Sequence, residues 1–263
     1  MSLHEAKQGM LWTLSDIATL TRRNLLRYIR MPQLLIFSTI QPVMFLLLFT
    51  YVFGGAIQMA GVGVNYINYL LPGVIVQTVI FGAMQTGIGL ADDLSKGLID
   101  RFRSLPMARS AVLAGRTISD MIRNVFVVLL MSGVGFLIGF RFHQSLWDAL
   151  AAIGLTVLFG FVFSWISASI GIAVRSVETA QVAGFIWVFP LVFASSIFVP
   201  VKTMPGWLQA FANVSPITVT VNSVRALVLG FPLGSDLWQM CLWMIGILAV
   251  FVPLAIYQYR KTS

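Results

Sequence analysis

The chain has 263 residues, 58% of them hydrophobic and only 10% charged, with a mean hydropathy of +0.90. Soluble globular domains carry about a quarter of their residues as charge, so this composition excludes an ordinary soluble enzyme and implies one membrane domain of several spans. The net charge of +8 comes from bases flanking apolar runs, which points to anionic head groups and topology rather than to nucleic acid.

Residues 11–31 read as an amphipathic helix. Leu14, Ile17, Ala18, Thr21, Leu25 and Tyr28 fall on one helical face, and Asp16, Thr19, Arg23, Arg27 and Arg30 on another. Such a helix suits the bilayer surface, with Arg22, Arg23, Arg27 and Arg30 expected to meet lipid head groups. Pro32 interrupts it. Nothing at this end reads as a cleavable signal, because the first long apolar run starts near residue 33 and no small-residue cleavage site follows it.

Apolar runs follow at 33–53, 67–90, 118–139, 147–174, 179–199 and 236–257, each near the ~20 residues that cross a bilayer core. The expected fold is all-α with six spans, none with an acid or base well inside it. Lys7, Arg22, Arg23, Arg27 and Arg30 precede the first span. Lys96, Arg101, Arg103, Arg109, Arg116 and Arg123 lie between the second and third, Arg175 between the fourth and fifth, and Arg260 and Lys261 at the end. The alternate side holds only Arg141, Lys202 and Arg225. Bases are retained inside, so both termini are expected in the cytoplasm.

Two connections are too elaborate to be links. The cytoplasmic one, 91–117, carries mixed charge and an apolar stripe of Leu98, Ile99, Phe102 and Leu105, which predicts a short amphipathic helix ending before Pro106. The external one, 200–235, is divided by Pro200, Pro205, Pro216 and Pro232. Its halves, 206–214 and 217–230, are too short to span, so they read as re-entrant helices covered by protein rather than lipid.

Within the spans, Gln77, Gln85 and Thr86 are the candidates for cargo or dimer contacts, since polar groups in lipid seek partners. Ser164, Ser167 and Ser169, with Gly160 and Gly171, suit close helix packing. Asp120 and Arg123 stand three residues apart and can pair on one helix face. Lys202 and Arg225, the latter near Asn222, are expected to reach the outer interface or to pair, because an unpaired base at mid-bilayer costs roughly 2.5–3.5 kcal/mol.

Energy-converting chemistry is not legible. No G-x-x-x-x-G-K-[ST] phosphate loop occurs, and His4 and His143 are the only histidines. Cys241 is the only cysteine, so no cysteine metal cluster is expected. No acid sits mid-span to carry a proton. Transport driven by a partner is therefore favoured over an ATP-independent channel or ion-coupled carrier.

The order of features resembles the type-2 ABC exporter permeases. Residues 65–120, NYINYLLPGVIVQTVIFGAMQTGIGLADDLSKGLIDRFRSLPMARSAVLAGRTISD, and 197–227, IFVPVKTMPGWLQAFANVSPITVTVNSVRAL, resemble the daunorubicin-resistance branch of actinobacterial permeases. The resemblance implies two permease chains, as a homodimer, and two separate ATPase subunits that bind ATP and magnesium, with no cofactor in this chain. It implies a coupling helix over 95–106. Ser95 opens it, Leu98, Ile99, Phe102 and Leu105 pack it, Asp100, Arg101 and Arg103 make polar contacts, and Pro106 closes it. It implies a bacterial plasma-membrane location and an amphipathic drug or complex lipid as cargo.

Overall fold

Backbone in lipid must satisfy its own hydrogen bonds, and apolar runs without edge-strand partners do so as helices. A computed structural model describes residues 3–30, 32–54, 65–97 and 109–261, and these contain no strand. The helices are α1 (Leu3–Arg30), α2 (Pro32–Leu48), α3 (Tyr66–Ser95), α4 (Arg109–Leu137), α5 (Leu146–Val174), α6 (Val177–Phe193), α7 (Gly206–Val214), α8 (Pro216–Leu229) and α9 (Asp236–Lys261). A wide π-turn, Phe49–Phe53, continues α2, and a 3₁₀ turn, Val201–Thr203, precedes α7.

Four helices among the described residues are long and apolar enough to cross a membrane: Tyr66–Ser95, Val112–Leu137, Leu146–Val174 and Asp236–Tyr259. They correspond to four of the six expected spans. The other two expected spans are shorter apolar helices, and α6 at 17 residues reaches only ~26 Å. Val112–Leu137 begins ahead of the expected span and carries Arg116, Asp120 and Arg123 in its first half.

α3 is the hub. Its most apolar window is 89% buried, against 22% for α9, so α3 is enclosed by protein and α9 lies at the periphery. Close approach explains the enclosure. Where α3 crosses α5, a Cβ on Gly87 would collide with the Ser167 carbonyl, and one on Gly171 would collide with the Gly87 carbonyl. The two backbones are in contact, as small residues at a membrane helix interface permit. The core around them includes Leu70, Leu71, Val76, Ile80, Phe159 and Phe163.

α1 packs against α4 rather than standing alone. Thr21 Oγ1 donates to the Gly115 carbonyl (3.3 Å), and a Cβ on Gly115 would lie 2.8 Å from Leu20 Cβ. The inward face is Leu20, Thr21 and Asn24, with Ile17 and Tyr28 at its margins, while Ala18 is exposed. The buried stripe is thus rotated from the one that apolarity predicts. Arg22, Arg23 and Arg30 are exposed; the Arg27 side chain lies outside the described residues.

Two short helices fill the 200–235 segment, as the proline spacing predicts. α8 is buried on nearly every face, from Pro216 to Leu229. Gly230 ends it with a φ of 79°, a left-handed conformation that glycine adopts without strain. The α4–α5 connection lies beside this end, with the His143 amide donating to the Val228 carbonyl (3.1 Å). Ser145 and Asp148 then cap α5 reciprocally.

Candidate functional site

Three polar assemblies interrupt the apolar bundle. The first joins α1, α3 and α4 near the ends of α3 and α4 that flank residues 98–108. Asp120 is its centre, 1% exposed. Thr86 Oγ1 donates to Asp120 Oδ2 and Tyr28 Oη to Asp120 Oδ1, both at 2.6 Å. Arg116 Nε lies 3.4 Å from Oδ2 and Arg123 Nη1 3.7 Å from Oδ1. Arg116 also faces Asp93 at 3.8 Å, so two bases meet two acids and the cluster is neutral. Arg123 Nη2 donates to the Gly82 carbonyl (2.7 Å), and its Nη1 donates to Tyr28 Oη (3.2 Å).

Glycines make the room. A Cβ on Gly89 would collide with the Arg116 guanidinium. Burial raises the Tyr28 phenol above its ordinary pKa, and the Asp120 charge adds to this, so Tyr28 stays a donor. The predicted Asp120–Arg123 pair is present, but as part of a three-helix network rather than a simple helix-face pair. Thr86 is fully buried, and its hydroxyl donates to Asp120. Tyr28, Arg116 and Asp93 went unsuspected; the 116, 120, 123 spacing was the available signal.

At the end of α3, Ser95 Oγ donates to the Asp92 carbonyl (2.9 Å), Lys96 pairs with Asp92 (2.7 Å), and Gly97 turns left-handed at a φ of 65°. Ser95 thus closes the helix where the expected coupling segment begins. Leu98, Ile99, Asp100, Arg101, Phe102, Arg103, Leu105 and Pro106 lie outside the described residues.

The second assembly is a cavity of about 90 Å³ between α2, α3 and α4. Gln77 and Gln85 both line it, beside Gln41 and Asn124, with Phe45 and Phe81 as its apolar walls. Gln77 Oε1 is buried with no hydrogen-bond partner among the described residues. Arg123 Nη2 to Asn124 Oδ1 (3.2 Å) connects this cavity to the Asp120 cluster.

The third centres on Arg225 at the opposite end. Of the two expected outcomes for Arg225, reaching the outer interface or pairing, the structure shows pairing. It is 2% exposed, and its charge is met by neutral groups. Nε donates to the Tyr69 carbonyl (2.9 Å), Nη2 to the Ile197 carbonyl (2.9 Å) and Nη1 to Ser196 Oγ (3.2 Å), and the guanidinium sits 3.5 Å over the Tyr69 ring. The Ile197 carbonyl lies in the turn that follows the end of α6, whereas the Tyr69 carbonyl belongs to the first turn of α3. Ser196 Oγ donates in turn to Asn222 Oδ1 (3.1 Å). Lys202, by contrast, is exposed on its 3₁₀ turn.

Apolar helices thus pack around an ionic cluster at Asp120 toward one end of α3 and a buried arginine, Arg225, toward the other. Residues 15–229 match the family model described as ABC-2 type transporter. The chain belongs to the ABC-2 transporter family. Relatives of this ABC-2 chain include the daunorubicin resistance ABC transporter permease protein DrrB1 of Streptomyces coeruleorubidus, 37% identical over 94% of this chain and 87% of the relative. Another, from Mycobacterium tuberculosis, is described as "Probable doxorubicin resistance ABC transporter permease protein DrrC"; it is 29% identical over 92% of this chain and 87% of its own. A third, DrrB of the same species, a doxorubicin resistance ABC transporter permease protein, is 30% identical over 66% of this chain and 60% of its own. This ABC-2 chain is a multi-pass membrane permease.

Proposed function

We propose that the chain is the membrane subunit of an ATP-driven exporter. Two copies form the pathway, and two separate ATPase subunits grip residues 95–106. The observation that carries the reading is the Asp120 cluster. It ties α1 to α3 and α4, the two helices that bracket the coupling segment. A push on 98–108 therefore reaches three helices as one body, because separating them would leave charges unpaired in low dielectric.

In this reading six segments cross the plasma membrane and both termini are cytoplasmic. α2 crosses with its π-turn, and α6 crosses with the 194–199 turn completing its length. Support for the outer boundary comes from Trp147, Trp207 and Trp238, all strongly exposed at the starts of α5, α7 and α9. Tryptophans collect at membrane interfaces. An amphipathic drug is the cargo suggested by the relatives' names, and Gln77 and Gln85 offer it hydrogen bonds beside the Phe45 and Phe81 rings.

The test is reconstitution with the cognate ATPase. Phe102→Asp places a charge in the expected packing stripe of the coupling helix. It is expected to leave insertion intact while ATP-dependent transport falls at least tenfold, the equivalent of about 1.4 kcal/mol of coupling. Transport by the purified permease alone, without ATPase, would sink the reading.

A further inference from the structure

Beside Arg225 lies a second cavity, of about 230 Å³, between the end of α8 and the start of α9. Tyr69, Asn222, Ser223 and Arg225 form one wall, Phe231, Pro232, Leu233 and Gly234 another, and Asp236 belongs to the same lining. Nothing in the transport scheme uses it.

Three features constrain an occupant. Arg225 is a buried cation, with no carboxylate within 4 Å among the described residues, and three neutral acceptors occupy only part of a five-donor fork. Asn222 spends its carbonyl oxygen on Ser196, which leaves its amide N–H groups as donors for the cavity. Asp236 brings a negative charge to the same cavity, in the first turn of α9. An occupant must therefore carry an anionic and a cationic group together.

Size and position narrow it further. At ~30 Å³ per water the volume matches about eight waters, the size of a head group and somewhat below the ~300–1,000 Å³ that encloses a drug-sized molecule. The rim is apolar and open, with Leu233 53% exposed, and Trp238 stands 67% exposed one turn into α9. Apolar rim and exposed tryptophan are what a head-group region meets.

We infer that this cavity binds the head group of a zwitterionic phospholipid, with the phosphate toward Arg225 and Asn222 and the ammonium toward Asp236. The acyl chains leave over Leu233 and Phe231. The site rests on the reading that 200–235 faces the outer leaflet. It is distinct from the Gln77 cavity, and it serves an annular lipid rather than the cargo.

The experiment uses the full chain, purified in detergent, stripped of lipid and offered equal phosphatidylethanolamine and phosphatidylglycerol, with retained lipid counted by native mass spectrometry. Retention of phosphatidylethanolamine is expected to exceed that of phosphatidylglycerol by about fivefold, the scale of one partly solvated ion pair. Asp236→Asn should erase the preference, and Leu233→Trp should fill the cavity and lower retention of both lipids. Neither residue holds the bundle together, and unchanged thermal melting checks this. Arg225 itself stays intact because it clamps α8 to α3. Equal retention of both lipids, or a preference that survives Asp236→Asn, overturns the site. Competition by soluble glycerophosphoethanolamine as strong as by the lipid assigns the same chemistry to a free phosphoester and overturns the lipid. No ATPase or transport is needed, so failure here is separate from failure of the exporter reading. Labelling of Leu233→Cys in a Cys241→Ser background by a membrane-impermeant maleimide reads the facing independently.

Discussion

Replacing Asp120 by asparagine keeps the shape of the side chain and removes its charge. Arg116 and Arg123, 8% and 7% exposed, then lose their shared counter-ion. Tyr28 and Thr86 each donate to a different carboxylate oxygen at 2.6 Å, and the amide keeps one acceptor oxygen, so one of the two hydroxyls loses its acceptor and faces an N–H donor. Removing one partner from a buried ion pair costs about 3–5 kcal/mol. The lower end applies here, since Arg116 keeps Asp93 at 3.8 Å and Arg123 keeps the Gly82 carbonyl at 2.7 Å. At roughly 2–4 °C per kcal/mol for a chain of this size, Asp120→Asn should lower the midpoint of thermal unfolding in detergent by about 10 °C. Tryptophan fluorescence can follow the transition. The double variant with Arg116→Met should be less damaged than the sum of the singles by about 1 kcal/mol or more, as coupled neighbours are. Tyr28→Phe removes one charge-assisted bond, worth about 1.5–3 kcal/mol, and should release α1 to protease while the rest of the bundle stays folded. A shift below about 2 °C for Asp120→Asn, or strict additivity with Arg116→Met, would refute the reasoning.

Gly171→Val drives a branched side chain into the Gly87 backbone, where no rotamer can relieve it; overpacking by at least about 3 kcal/mol should abolish recovery of folded protein on size-exclusion chromatography. Gln77→Leu removes a buried acceptor that has no partner, so stability should hold or rise by up to about 1 kcal/mol. If Gln77 contacts cargo, ATP-dependent transport by that variant should nevertheless fall several-fold; unchanged transport removes it from the pathway.

The helices were legible where apolar length alone decides. α3, α5 and α9 fall within a few residues of their predicted spans, and the prolines at 205 and 216 marked α7 and α8. α4 starts at Arg109, ahead of the predicted 118, because Arg109 and Arg116 read as loop bases that orient the chain, and only Asp120 and Arg123 read as a helix-face pair. The i, i+4, i+7 spacing of Arg116, Asp120 and Arg123 instead puts all three on one face of a helix. Tyr28 and Thr86 carried no such signal: they meet Asp120 across 92 and 34 residues of sequence. The partners of Arg225 were hidden for a definite reason. The cost of a lone base in lipid is sound as arithmetic, but it does not say which groups meet the charge. Two backbone carbonyls, a hydroxyl and an aromatic ring do so, brought together from the first turn of α3 and the turn after α6 across 156, 29 and 28 residues of sequence.

The Asp120 cluster and the Arg225 assembly also differ in when they can close. Every member of the Asp120 cluster lies before residue 125, on helices that leave the ribosome first. Arg225 and all its partners except Tyr69 lie after residue 195. The nascent chain can therefore neutralise its inner charges while half of it is still unmade, and α3 waits with one carbonyl in hand for an arginine that arrives near the end of synthesis. The bundle is fastened first at the end where α3 and α4 flank residues 98–108, and last around Arg225.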